Sequence, residues 1–297
     1  MRAGGGGSRT TGQNVAAGIP IRFLLKEDLP KDTVARIVIK GEEDLVTFST
    51  KPDKKKNEIA MKAAKGMNEV TWNMRVAGAK SFDGMVLWGG GLQGPQVVPG
   101  KYKAELSIGD DKQEIEFELA KDPRNSATDA DFQAQYDFLV GVRDKLTEVH
   151  MSIKKLRDAK AQIGSLSKRL GDAEEYKEIV ESGKSLSKRL TEIEKRLYQT
   201  QNQSPQDPLN FPIRLNNRLS SLVGVVSTGD YPPTQQSIEV RDTLIAEMDK
   251  HLAELSSILK DDIKKFNSMV SKAKVPAIMI EQDSDEKKKS ADKDGDK

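Results

Sequence analysis

The sequence predicts an α+β chain: an N-terminal antiparallel β-sandwich, then an elongated antiparallel four-helix bundle, then a charged disordered tail. Three observations carry this. Hydrophobic residues recur with a period of two from about residue 18 to 120. From Thr128 onward they step by three and four. The last stretch, EQDSDEKKKSADKDGDK, alternates charge and holds no large apolar side chain. A period of two places alternate side chains on one sheet face, and steps of three and four build a helix stripe. A segment that can bury nothing stays unfolded.

Taken in order, residues 1–14 contain Gly4 to Gly7 without an apolar core, which reads as a flexible linker rather than a secretory signal. Residues 15–122 form the predicted sandwich. IPIRFLL, TVARIVIK and DLVTFST are β-branched runs separated by Asp, Gly, Lys and Pro clusters. KPDKKKN is a polar loop, and MNEVTWNMR alternates Val70 and Trp72 against polar neighbours, so Trp72 is expected in the core. VVPGKYKAELSIG gives the clearest strand, with Tyr102, Ala104, Leu106 and Ile108 on one face. Gly109-Asp110-Asp111 turns the chain, and Ile115, Phe117 and Leu119 answer from the next strand. About seven short strands without intervening helix periods match a sandwich of the Ig-like or FlgD-like kind.

Residues 127–273 form the predicted bundle. Thr128 and Asp131 make a capping-box variant at its start. Leu139, Val142, Leu146, Val149, Ile153 and Leu156 form a stripe that Ile163 and Leu170 extend. Such a helix of some 40 residues would be roughly 60 Å long at 1.5 Å per residue. Gly171-Asp172 stops it. A second helix is expected over 173–200 through Ile179, Leu186, Leu190, Ile193 and Leu197. Asp207-Pro208 and Phe211-Pro212 interrupt the helical rhythm, because a residue before proline avoids helical geometry. Ile213 to Val226 allow a short third helix. Pro232-Pro233 suits the first turn of a last long helix, whose stripe runs Leu244, Met248, Leu252, Leu255, Leu259, Phe266 and Val270. SLSKRL occurs at 165–170 and again at 185–190, which is too little for a repeat architecture. Residues 276–297 form the expected tail.

Composition narrows the chemistry. A formal net charge of +2 provides no basic field for nucleic acid. No cysteine is present, which removes disulfides, thiolate chemistry and cysteine-ligated zinc. No apolar run reaches the roughly 18 residues of a membrane span. The two histidines, His150 and His251, adjoin packing stripes and read as boundary residues rather than catalytic bases. GGGLQG at 89–94 leads into a strand rather than a helix, so it reads as a loose loop and not a phosphate cradle. Asp110-Asp111 falls in a turn and Asp261-Asp262 on a solvated helix face, with no cleft implied for glycosidase carboxylates. No catalytic residue, cofactor or metal ligand is therefore assigned. Asn216 and Asn217 are the least ordinary polar residues, because asparagine competes with the helix backbone. With Arg214, Asp230 and Tyr231 they are candidates for bundle register or for an interaction surface. Asp122 and Arg124 are candidates for a clamp where sandwich meets bundle.

GIPIRFLL, GMNEVTWNMR, VVPGKYKAEL, KDPRNSATDADFQAQYDFL, QDPLNFPIRLNNRLSSL and PPTQQ, in this order and spacing, resemble the C-terminal regions of large exported bacterial proteins. Those proteins, of the Bacteroidetes kind, carry an N-terminal sortilin-like β-propeller of BNR or Asp-box repeats and are often labelled glycosyl hydrolase. The likeness covers about residues 18–272. It departs at WNMR, where Asn73 stands in place of an aspartate, and it lacks the propeller. The resemblance implies a non-catalytic accessory module that supports or docks the propeller in the cell envelope, exported with it, with a protein partner. Two other expectations stand beside it: a fragment of an enzyme whose active site lies in the missing propeller, and a free-standing helical adaptor.

Overall fold

The computed structural model describes residues 17–277. It is α+β, with a sheet region followed by helices. Seven strands come first: β1 (Ile19–Leu25), β2 (Ala35–Lys40), β3 (Asp44–Ser49), β4 (Ile59–Ala60), β5 (Gly66–Trp72), β6 (Gly100–Ile108) and β7 (Asp111–Leu119). Five α-helices follow: α1 (Asp129–Leu170), α2 (Lys177–Leu197), α3 (Leu215–Val226), α4 (Gln235–Ser257) and α5 (Ile263–Lys272). A π-helical turn, Ile258–Asp262, joins the last two. The expected linker at 1–14 and nearly all of the expected tail lie outside the described residues.

Grouped by contacts, the chain forms two units, and their boundaries do not follow 15–122 and 127–273. The first comprises residues 17–81, 89–147 and 219–242 of the described chain; the second comprises 82–88, 148–218 and 243–277. The reason is local. Residues 82–88 find their partners among helices, while the start of α1 and the turn before α4 find theirs in the first unit.

In the first unit, β1 and β5 pair as one sheet and β4-β3-β2-β6-β7 as another. Pairing is antiparallel except between β3 and β4, which is parallel, so the all-antiparallel expectation needs that correction. Ile21, Phe23, Leu25, Val70 and Trp72 share one core with Ile37, Ile39, Phe48, Tyr102 and Ala104. Trp72 is wholly buried, edge-on to Tyr102 at 5.9 Å and to Phe117 at 6.1 Å, and its indole N–H donates to the Arg75 carbonyl at 2.8 Å. Ile115 does not answer the core as expected. It pairs with Ala104 at the middle of edge strand β7 and is exposed. Gly109 holds φ at 58°, the positive value required at the first position of a tight β6–β7 hairpin.

Between β5 and β6 the chain makes an irregular hairpin. Its legs bond through Val76 N to Pro95 O (3.1 Å), Ala79 N to Leu92 O (2.8 Å) and Val97 N to Met74 O (2.8 Å). GGGLQG is therefore not simply loose. A Cβ on Gly94 would lie 2.0 Å from the Val76 carbonyl oxygen, so this close backbone approach excludes any side chain.

Helix α1 opens with the predicted capping box. Thr128 N donates to Asp131 Oδ2 at 2.8 Å, and Asp131 N donates to Thr128 Oγ1 at 3.2 Å. In the second unit, α2 runs opposite to α1, because Glu194 meets Arg157 while Gly183 meets Ile163. It also runs opposite to α5, through Arg189 with Asp262 and Gly183 with Phe266. Hence α5 is parallel to α1, which corrects the fully antiparallel expectation. Helix α2 ends at Leu197 rather than 200, and Tyr198 is already extended (φ −139°, ψ 145°). Pro232 and Pro233 precede the last helix rather than start it, and Thr234 Oγ1 accepts from Ser237 N at 3.2 Å.

Candidate functional site

The sequence SFDGMVLW has neither helical nor strand period, yet it contributes the centre of the most elaborate polar cluster among the described residues. Residues 82, 84, 86 and 88 alternate along it, and each is held. Phe82 is buried edge-on against Tyr198 (5.0 Å between ring centroids) and His150 (5.7 Å). The Arg157 guanidinium lies 4.5 Å from the Phe82 ring centre and 5.5 Å from that of Tyr198. Such stacking suits a flat, weakly hydrated cation. The Tyr198 hydroxyl accepts from Val86 N at 3.0 Å and donates to the Gly84 carbonyl at 3.4 Å. Asn217 then treats Trp88 as a strand neighbour would: its Oδ1 accepts from Trp88 N at 2.7 Å, and its Nδ2 donates to Trp88 O at 2.8 Å.

The helices place these groups by simple spacing. His150, Arg157 and Lys160 recur at seven and three along α1, which brings them to one face. Glu194 lies one turn before Tyr198 at the end of α2. It is 4% exposed and accepts from Arg157 Nε at 2.6 Å and Lys160 Nζ at 3.0 Å. Two cations on one buried carboxylate answer its desolvation. Asn216 and Asn217 occupy the first turn of α3. Asn216 is 1% exposed, and its Nδ2 lies 3.3 Å from His150 Nε2.

The predicted residues thus divide. Arg214, Asn216 and Asn217 come together in the second unit at the start of α3. Arg214 is half-buried; its Nε and the Asn216 Oδ1 are buried without a protein partner. Asp122, Arg124, Asp230 and Tyr231 lie in the first unit. Arg124 donates Nε and Nη2 to Asp122 at 3.1 and 2.7 Å, so the pair staples its own turn, and the guanidinium holds the carboxyl below its ordinary range. Asp230 accepts from Asn125 Nδ2, and the exposed Tyr231 contributes its carbonyl oxygen to Gln135 Nε2 at 2.9 Å. The same Gln135 nitrogen meets the carbonyls of Val226 (3.0 Å) and Gly229 (2.6 Å), which fixes the turn before α4. A cavity of about 280 Å³ opens beside Phe132, Gln135, Asn125 and Asp230.

His150 is not the boundary residue expected from its place beside a stripe. It is wholly buried, because Phe82 and Asn216 cover the side of α1 that sequence spacing leaves open. His251 is half-buried on α4, and Asp262 is engaged by Arg189 at 2.7 Å. Sequence reasoning missed Phe82, Trp88, Arg157, Glu194 and Tyr198. The available signal was an aromatic pair in a glycine-flanked loop, since large aromatics seldom stand there without cover.

Comparison with protein-family models, curated proteins and solved structures finds no match for the chain.

Proposed function

We propose that the chain is a non-catalytic accessory and interaction module of an exported cell-envelope protein, built from an Ig/FlgD-like sandwich and a helical bundle. In this reading it supports a β-propeller or docks it to a protein partner of the envelope. The observation that supports it is the use made of the richest polar cluster. His150, Asn216, Asn217, Tyr198, Arg157, Lys160 and Glu194 bond one another or grip the chain's own residues 82–88. Groups used in this way organise a scaffold rather than a reacting centre.

The order and spacing of the sequence motifs supply the exported, propeller-bearing context. An enzyme fragment whose active site sits in that propeller, and a free-standing adaptor, are the alternatives. One experiment separates them. The open reading frame around Met1 is sequenced, any propeller it encodes is produced separately, and its binding to this chain is measured by calorimetry. A signal peptide, Asp-box repeats and saturable binding are expected. Repeats without binding would favour the enzyme-fragment reading, and a start at Met1 would favour the adaptor.

A further inference from the structure

Strand β7 closes one side of the five-stranded sheet. It pairs with β6 over its whole length and, among the described residues, with no strand on its other side. Such an edge offers unpaired N–H and C=O groups to any extended chain that comes alongside. Its core-facing side is also open. Ile115 stands opposite the buried Ala104, on the face that carries Tyr102 and Phe117, yet it is 59% exposed. Leu106 and Ile108, on the same face of β6, are only half-buried. Five strands on this side of the core face only two, β1 and β5, on the other.

The opposite face of β7 carries Lys112, Glu114, Glu116 and Glu118. Lys112 leans inward to Glu105 at 3.4 Å, and Lys103 of β6 is shared by Glu114 at 2.9 Å and Glu116 at 3.2 Å. The cations thus lie toward β6 and the carboxylates line the margin. A second copy fits this margin poorly. Two β7 strands paired antiparallel about Ile115 would set Glu114 against Glu116 twice, and a register two residues away sets Glu114 or Glu116 against itself. Like charges directly opposite are destabilising.

We propose that the β7 edge docks an extended segment of a partner protein in which lysine or arginine alternates with β-branched residues. The main chain of that segment extends the sheet, its cations lie beside Glu114, Glu116 and Glu118, and its apolar residues cover Ile115. This deepens the interaction-module reading and rests on it for the existence of a partner.

The test titrates the full chain with the peptide Ac-Lys-Val-Lys-Val-Lys-Val-Lys-NH2, followed by amide NMR and calorimetry. No propeller enters it, so its failure leaves the propeller measurement untouched. Saturable binding is expected, with the largest amide shifts within Asp111–Leu119. The same peptide with proline for its central valine keeps every charge but cannot continue a ladder, and should bind about tenfold more weakly. Glu114→Lys combined with Glu116→Lys should also weaken the valine peptide about tenfold. Glu118→Lys alone, outside the Lys103 ion pairs, should weaken it severalfold and leave the melting temperature unchanged. No binding, equal binding of the proline peptide, or shifts centred outside β6 and β7 would overturn the proposal. A dimer of the chain that the peptide fails to dissociate would overturn it too, since a second copy then holds the edge.

Discussion

Asn217 shows how a side chain can replace a strand. Its amide presents an acceptor and a donor at the spacing of a peptide group, and Trp88 answers with its own N–H and C=O. Asp207 does comparable work in the connection after α2. It accepts from Gln203 N at 2.6 Å, Ser204 N at 2.8 Å and Ser204 Oγ at 3.0 Å, and these bonds lower its pKa from the ordinary 3.8. A lowered folded-state pKa means that the unfolded chain binds the proton more readily. The stabilisation is therefore full above 3.8 and is lost as pH falls through the folded value. Asp207→Asn should lower the melting temperature at pH 7, and the gap to the parent should narrow as the buffer is taken below that range. A gap independent of pH would refute the role. Such roles are hard to read from sequence. Asn216 and Asn217 stood out because asparagine is costly inside a helix, but their partners lie 66 and 129 residues away. His150 gave no signal, because its cover comes from a loop without period.

At the scale of elements, the regular segments were legible and their mutual directions were not. β1 coincides with IPIRFLL, and α1 with the stripe that begins after Thr128, because burial of one face imposes a period on the sequence. The place of Trp72 followed from the same alternation. Trp72→Ala should cost about 3–5 kcal/mol, the range for emptying an aromatic site in a packed core. A near-parental denaturant midpoint would contradict it. That α5 runs parallel to α1 depends on where the chain turns, and periodicity carries no direction. Close approach of α2 to α1 depends on Gly183, where an added Cβ would stand 3.0 Å from Ile163 Cγ2 and 3.2 Å from Ser167 Oγ. Gly183→Val should therefore destabilise by about 1–3 kcal/mol, the usual cost of overpacking. Higher stability, as expected from helix propensity alone, would show that the helices can part without loss.

For the whole molecule, the departure from a boundary near 122–127 has one principal cause. Residues 82–88 leave the sheet region's grouping and join the helices, carrying two aromatics with them. Sequence-based boundaries assume that neighbours in the chain share a core, and a hairpin tip need not. We propose that the polar residues around this tip build the helical unit rather than serve a reaction. Thermal unfolding of the Asn216→Ala/Asn217→Ala variant beside the parent, followed by circular dichroism, tests this most directly. Each buried partner left unpaired costs about 1–3 kcal/mol, with the lower end expected at Trp88, which is 42% exposed. The predicted result is a clearly lowered melting temperature. Unchanged or raised stability, as alanine's better helix propensity alone would produce, would contradict the account.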